Sequence, residues 1–255
     1  MGTLTYLADT DNVIRTSTIV ASTGDPNYPV ANVQALPISK PFRFGGKTLE
    51  DLQIDLGSAK AIDCIALLNT NMVSGATITV NAGNSANPNG STYTTTITWR
   101  QYDCFKLLPA PQTYRYWKII VANTSCPDTF IQIGYLVMGD STTLSFNYAP
   151  GWTFSDEHEN LELQTELGTF HVSELFNRVR LQLPFRTLTD SDMDTLRTLQ
   201  RALKRNLVPV FIIPDSAGTE AYFCRSISNF DQHIEFYRNV DLTFLQESRG
   251  NSLAA

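Results

Sequence analysis

With 255 residues, 42% hydrophobic and 17% charged, the chain has the composition of a folded globular protein, well away from the polar, highly charged regime of disorder. A net charge of −6 and the lack of any basic stripe argue against a nucleic-acid partner. The longest apolar runs, Ile65–Leu68 and Val208–Ile213, are far too short for a spanning helix, and the stretch through Arg15 lacks the basic and apolar regions of a secretory signal.

Taken in chain order, the first half reads as short strands separated by turn clusters. Leu52, Ile54 and Leu56 alternate with Asp51, Gln53 and Asp55, and Gly57-Ser58 is expected to stop that strand. Ala61–Leu68 is a continuous apolar run, as in a strand covered on both faces. Ala76–Val80 alternates again, a polar loop carrying Pro88 and Gly90 follows, and Thr92–Thr98 is Thr-rich strand material. Tyr114–Ala122 sets Trp117, Ile119 and Val121 on one face, and Ile131–Met138 is the last strand before Gly139-Asp140. Strands this dense, with no helical period, predict an antiparallel β-sandwich over residues 1–140.

The balance changes after Asp140. There are 10 acidic and 9 basic residues up to that point, a net −1, and 15 and 10 beyond it, a net −5. Strands are expected at Thr142–Tyr148, Leu161–Leu167 and Arg178–Pro184, then the one convincing helix. Thr189 is its N-cap, Asp190, Asp192 and Asp194 fill its first turn, and Arg201, Lys204 and Arg205 its last. Met193, Leu196, Leu199 and Leu203 form its apolar stripe. Strands resume at Val208–Ile213, Tyr222–Ile227 and Ile234–Leu245. Residues 141–248 thus read as a β-barrel or sandwich with one packed helix, and 249–255 as a disordered tail.

Catalytic signatures are missing. There is no GxSxG elbow, no Walker A and no GxGxxG motif, so neither a catalytic residue nor a cofactor site is assigned. His158 lies in a Ser-Asp-Glu-His-Glu-Asn run without HxH or HExxH spacing and is expected in a solvated acidic loop; His171 is expected in a strand and His233 in a turn. No metal site is assigned. Cys64, Cys104, Cys126 and Cys224 stand singly with no CxxC pair, as free thiols of a chain assembled in a reducing cytosol would. One binding mode stays open, since sandwich loops can hold sugars against aromatic faces. The candidates are Tyr28, Phe42, Arg43, Asn69, Asn71, Trp99 and Tyr102. The same residues also read as core caps (Phe42, Trp99) and turn formers (Asn69, Asn71).

Four stretches carry a family resemblance: Ala21-Ser22 with Asn27-Tyr28-Pro29-Val30-Ala31-Asn32-Val33, then Leu52–Ala59 with its Asp-Leu-Gly, then Ile62–Asn69, then Tyr114-Arg115-Tyr116-Trp117-Lys118-Ile119. Together they make Ala21–Asp140 resemble the phage-tail version of the discoidin-like, or coagulation-factor type C, galactose-binding-like β-sandwich, a jelly roll. Gln34–Phe42 departs from that pattern, with no Asp-Gly and with Phe42 where relatives that bind sugar or calcium carry Trp. The second half, through Leu181-Gln182-Leu183-Pro184-Phe185, the capped helix and Val210–Asp215, is similar to the C-terminal part of phage minor and distal tail proteins. The resemblance implies a non-enzymatic tail-tip component of a long non-contractile (siphophage) tail. It would act through a homo-oligomeric ring with a tail-tube-like second half and meet tail tube, hub and tape-measure proteins. Such a protein is assembled in the bacterial host cytoplasm and resides in the virion. The alternative is a glycan-binding adhesion module that contacts the host surface.

Overall fold

The computed structural model describes residues 3–164, 170–204, 207–215, 220–227, 233–234 and 238–247. Its strands begin with β1 (Thr5–Ala8), β2 (Thr18–Ala21), β3 (Phe42–Arg43), β4 (Glu50–Leu68), β5 (Thr77–Gly83) and β6 (Tyr93–Ile97). Next come β7 (Cys104–Ala122), β8 (Gln132–Ile133), β9 (Tyr135–Gly139), β10 (Thr142–Thr143), β11 (Thr153–Gln164) and β12 (Phe170–Phe185). The helix α1 (Asp190–Ala202) precedes β13 (Val210–Ile213), β14 (Tyr222–Ser226), β15 (His233–Ile234) and β16 (Arg238–Gln246). The fold is mostly β, the pairings among β2–β9 and among β1 and β11–β16 are antiparallel, and α1 is the one α-helix among the described residues. The chain divides into two compact units, Asp11–Thr142 and a split unit of Met1–Thr10 with Thr143–Ala255.

The unit Asp11–Thr142 is built on two 19-residue strands, β4 and β7. The first half of β4 lies between β2 and the end of β7 (Ile19↔Ile54↔Trp117), and the ladder continues through β5 to β6. Its second half lies between β9 and the start of β7 (Val137↔Ala66↔Phe105). The two halves meet at a register shift between Asp55 and Lys60, where Gly57 holds φ +75°. The strand therefore does not stop at Gly57, as the sequence predicted. Glycine admits a backbone turn that an L side chain resists, so the ladder bends there and continues. Inward side chains of one half (Leu52, Ile54, Trp117, Ile119) and of the other (Ile65, Leu67, Leu136) share a single buried cluster. That is a β-sandwich folded over one apolar core. Across one end, the ribbon of β3 and β8 adds Phe42 and Ile133 to the cluster. Gly134 separates β8 from β9, which had been expected as one strand. A Cβ there would stand 2.4 Å from the Ile38 carbonyl oxygen, closer than any packed carbon.

The split unit corrects the expected domain start. Residues 1–10 had been placed with the sandwich, but β1 pairs β13, with Tyr6 opposite Ile212, and Leu4, Tyr6 and Ala8 enter the second core. Four residues of strand carry no mark of which sheet they will join; the partner is chosen by tertiary pairing. The sheet runs β10-β1-β13-β14-β16-β12-β11, with β15 on β16. Against it packs α1, burying Met193, Leu196, Leu199 and the following Leu203. Thr189 closes the expected cap as a full capping box: its hydroxyl accepts from Asp192 N (3.2 Å), and Asp192 Oδ2 accepts from Thr189 N (2.9 Å). The helix ends at Ala202, so Lys204 lies beyond its last turn, and Arg205 is outside the described residues.

Several strands are displaced from their expected positions. Only Thr142–Thr143 of the stretch to Tyr148 is strand, whereas β11 begins at Thr153, well before Leu161. His158 therefore sits in β11 opposite Asn177, not in a loop, because cross-strand pairing with β12 overrides the polarity of its neighbours. His171 falls in β12, and His233 lies in β15 opposite Asn239 instead of in a turn. Their side chains, and the proposed tail 249–255, lie outside what is described.

Candidate functional site

The sequence candidates fall into four places in the sandwich unit. Phe42 is fully buried and packs edge-on to Phe44 at 4.7 Å, so it has no face to offer a ligand. Trp99 is half-buried against the core, its indole N–H donating to the Met72 carbonyl (3.0 Å). Asn69 and Tyr102 share a loop junction. Asn69 takes φ 53° and donates through Nδ2 to the Ile38 carbonyl (2.9 Å), while Tyr102 takes φ 70°, accepts from Thr70 N (2.8 Å) and is 41% exposed.

Tyr28, Arg43 and Asn71 converge at the end closed by β3 and β8. An Asx turn, in which Asp25 Oδ1 accepts from Asn27 N (2.9 Å), leads to Tyr28, whose N–H donates to the Asp25 carbonyl (3.0 Å). Arg43 is tied to the same turn from both sides: Arg43 N donates to the Tyr28 carbonyl (3.3 Å) and Asp25 N donates to the Arg43 carbonyl (3.0 Å). The register Arg43↔Gln132 sets the loop before β8 beside it. Asn71 fixes that loop, donating to Asp128 Oδ2 (2.7 Å) and the Phe130 carbonyl (3.1 Å) and accepting from Gln132 N (2.8 Å). With both amide groups engaged, Asn71 is a positioning residue. What it positions is Phe130, which the sequence reading did not select.

The outcome is a guanidinium held between two rings. The Arg43 guanidinium carbon lies 3.7 Å from the centre of the Tyr28 ring and 4.5 Å from that of Phe130. Arg100 and Arg115 also stack on aromatic rings, but each has a strong second partner. Arg100, over Phe105 at 4.0 Å, donates to the Phe105 carbonyl (2.8 Å), and burial lowers its pKa. Arg115, over Tyr116 at 4.8 Å, forms a two-pronged pair with Asp55 at 2.7 and 2.8 Å. Arg43 differs: Nε is buried without a hydrogen bond, and no carboxylate among the described residues pairs with the group. A guanidinium confined between ring faces keeps its N–H fork in one plane and turns it toward the edge of the stack. Such a fork can donate to two adjacent hydroxyls or bidentately to a carboxylate.

Nucleophile and metal chemistry find no matching setting. Cys64, Cys104, Cys126 and Cys224 are free and buried, and burial pushes the Cys64, Cys104 and Cys126 thiols up, away from the reactive thiolate. Among the described residues, no group of three or more His, Cys, Asp or Glu side chains is placed to hold a metal ion.

No protein-family model and no curated protein sequence matches the chain. Among solved structures, it is similar to the family 32 carbohydrate-binding module of Clostridium perfringens NanJ in complex with galactose, at 15% identity over 53% of this chain and 99% of that one, TM-score 0.42. It is similar to chitosan-binding module 1 from a chitosanase/glucanase of Paenibacillus sp. IK-5, at 15% identity over 51% and 98%, TM-score 0.42. A fucose-binding module of Streptococcus pneumoniae matches at 10% identity over 50% and 94%, TM-score 0.40. Scores of this size add nothing to what the strand pairings of the sandwich themselves establish.

Proposed function

We propose that this chain is a non-enzymatic carbohydrate-binding protein whose sandwich unit takes a glycan at the Tyr28–Arg43–Phe130 end. The observation that carries the reading is Arg43, an arginine fixed between two rings with no carboxylate partner among the described residues, whose terminal amino groups, unlike the buried Nε, are left for a ligand. Sugar hydroxyls or a sugar carboxylate suit the N–H fork, and the adjacent aromatic surface suits the apolar face of a pyranose. The test is a glycan array followed by calorimetric titration of the full chain with its best ligand. Arg43→Ala is expected to weaken binding at least ~10-fold, the loss of about 1.4 kcal/mol that a charge-assisted hydrogen bond supplies. Unchanged affinity in that variant, or an array without a ligand, sinks the proposal.

A second reading rests on a different feature, the hairpin of β11 and β12. Ladder pairs between them run from Thr153↔Gln182 to Gln164↔Phe170, whereas β16 covers β12 only over Arg180–Phe185. Among the described residues, β12 before Arg180 is therefore paired on one side only. A bare two-stranded arm is marginal in water and offers edges for further strands. This supports a virion subunit at the tip of a long phage tail, building a ring with copies of itself and with tail tube, hub and tape-measure neighbours. Such a ring repeats one heterologous contact. Light scattering alone and with candidate tail proteins, and mass spectrometry of purified virions, check it. A strictly monomeric chain absent from virions rejects it. The two readings are compatible, since a tail tip meets the host surface.

A further inference from the structure

The split unit contains a cavity that neither reading uses. It has a volume of about 270 Å³, just under the usual span of drug-sized pockets, roughly 300–1,000 Å³, and so suits a headgroup-sized ligand. Four aromatic rings line it in two pairs: Tyr148 edge-on to Trp152 at 6.0 Å and 71°, and Phe154 tilted on Tyr222 at 5.8 Å and 56°. Among its described lining residues, the charged side chains are the carboxylates of Asp215 and Glu220. Glu220 Oε2 accepts from the Tyr222 hydroxyl (2.9 Å), which joins one carboxylate to one ring. Trp152 and Phe154 remain 42% and 44% exposed, large apolar surfaces turned outward at a cavity mouth.

The geometry points to this cavity as a binding site for a small quaternary-ammonium group. Ring faces carry negative quadrupole potential, and several rings lining one space attract a methylated ammonium without hydrogen bonds. A quaternary cation has no N–H to satisfy, so a wall of rings suits it better than it suits a primary amine, which must keep its donors bonded. The two carboxylates add long-range attraction for a cation and repel an anion. Burial, and after it the charge of Asp215, push the Tyr148 hydroxyl pKa up; of the two, only the smaller Asp215 contribution reflects a field that favours positive charge. A neutral sugar would stack on Trp152 equally well but would gain nothing from that field.

The test titrates the full chain with choline chloride, following tryptophan fluorescence and confirming by calorimetry, with 3,3-dimethyl-1-butanol as the uncharged isostere. Choline is expected to bind in the millimolar range or tighter, and the alcohol at least ~10-fold more weakly, since only the cation feels rings and carboxylates together. Trp152→Ala is expected to weaken choline binding at least ~10-fold and Trp152→Phe by less, because the smaller ring keeps a face. The Asp215→Asn, Glu220→Gln double variant is expected to weaken it with a steeper loss at low salt. Choline and free trimethyllysine carry the same group on different stems; whichever binds more tightly names the source, and binding of either supports the site. Circular dichroism of each variant reports folding, and the exposure of Trp152 keeps its truncation mild. Equal binding of the alcohol, indifference to Trp152→Ala in a folded variant, or binding of neither cation overturns the inference. Arg43→Ala leaves this titration unchanged, so its outcome is independent of the glycan reading.

Discussion

Asp55 and Arg115 show how one ion pair ties stability to pH. Hydrogen bonds from Arg115 and then from the Gly57 N–H hold the Asp55 carboxyl at about 2, below its ordinary 3.8. Because the folded-state value is depressed, the stabilisation is complete above the ordinary value and disappears as pH falls through the folded one. Both side chains are substantially solvent-accessible, so the effect is small. Asp55→Asn is therefore expected to lower the melting temperature slightly at pH 6, with the difference from the parent shrinking between about pH 4 and pH 2. A gap that persists at pH 2 in thermal melts would show that Asp55 acts through something other than its charge. At this same scale lies the contrast among the stacked arginines. Arg43, Arg100 and Arg115 are equivalent letters in the sequence, and only their partners set Arg43, which has no carboxylate partner among the described residues, apart from the other two.

At the scale of elements, the helix was the most readable part. Its cap, acidic first turn and apolar stripe are local features that follow from backbone hydrogen bonding and a 3.6-residue period, and α1 forms where they place it. Thr189→Ala removes the acceptor for Asp192 N and is expected to cost about 1 kcal/mol. Urea unfolding measures it; a loss under ~0.3 kcal/mol would mean that helix packing on the sheet holds the first turn without its cap. The long strands were less readable. Leu52–Leu56 and Ala61–Leu68 were each recognisable by their apolar pattern, yet their union in β4 depends on Gly57 bending within a ladder whose other side is β7, sixty residues on. The early start of β11 has the same origin: Ser155, Asp156 and Glu157 look like loop residues until Arg180, Val179 and Arg178 lie opposite them. Arg180 and Arg178 both pair with Glu157 there.

At the scale of the whole chain, one division falls near Asp140, where the composition changes, and a second falls between Thr10 and Asp11, where nothing in the composition marks it. Thr5–Ala8 precede the sandwich in the chain but belong to the sheet formed by the second half. Deleting residues 1–10 is thus expected to strip hydrogen-exchange protection from Val210–Ile213, which loses its β1 partner, while Ile62–Leu68 in the sandwich stays protected. Equal protection of both segments after the deletion would mean that β1 adds little to the second sheet.

The amino-acid sequence alone determined the mostly-β class, the sandwich and the capped helix. These rest on short-range periodicities and spacings, which a chain displays before it folds. Tertiary structure alone decided which unit β1 joins and that Asn71 serves to place Phe130 beside Arg43 and Tyr28. It also gathered Tyr148, Trp152, Phe154 and Tyr222 around one cavity. Each of those outcomes is a contact between distant segments, set by packing and by which polar groups still lack a partner, and neither quantity is written in local sequence.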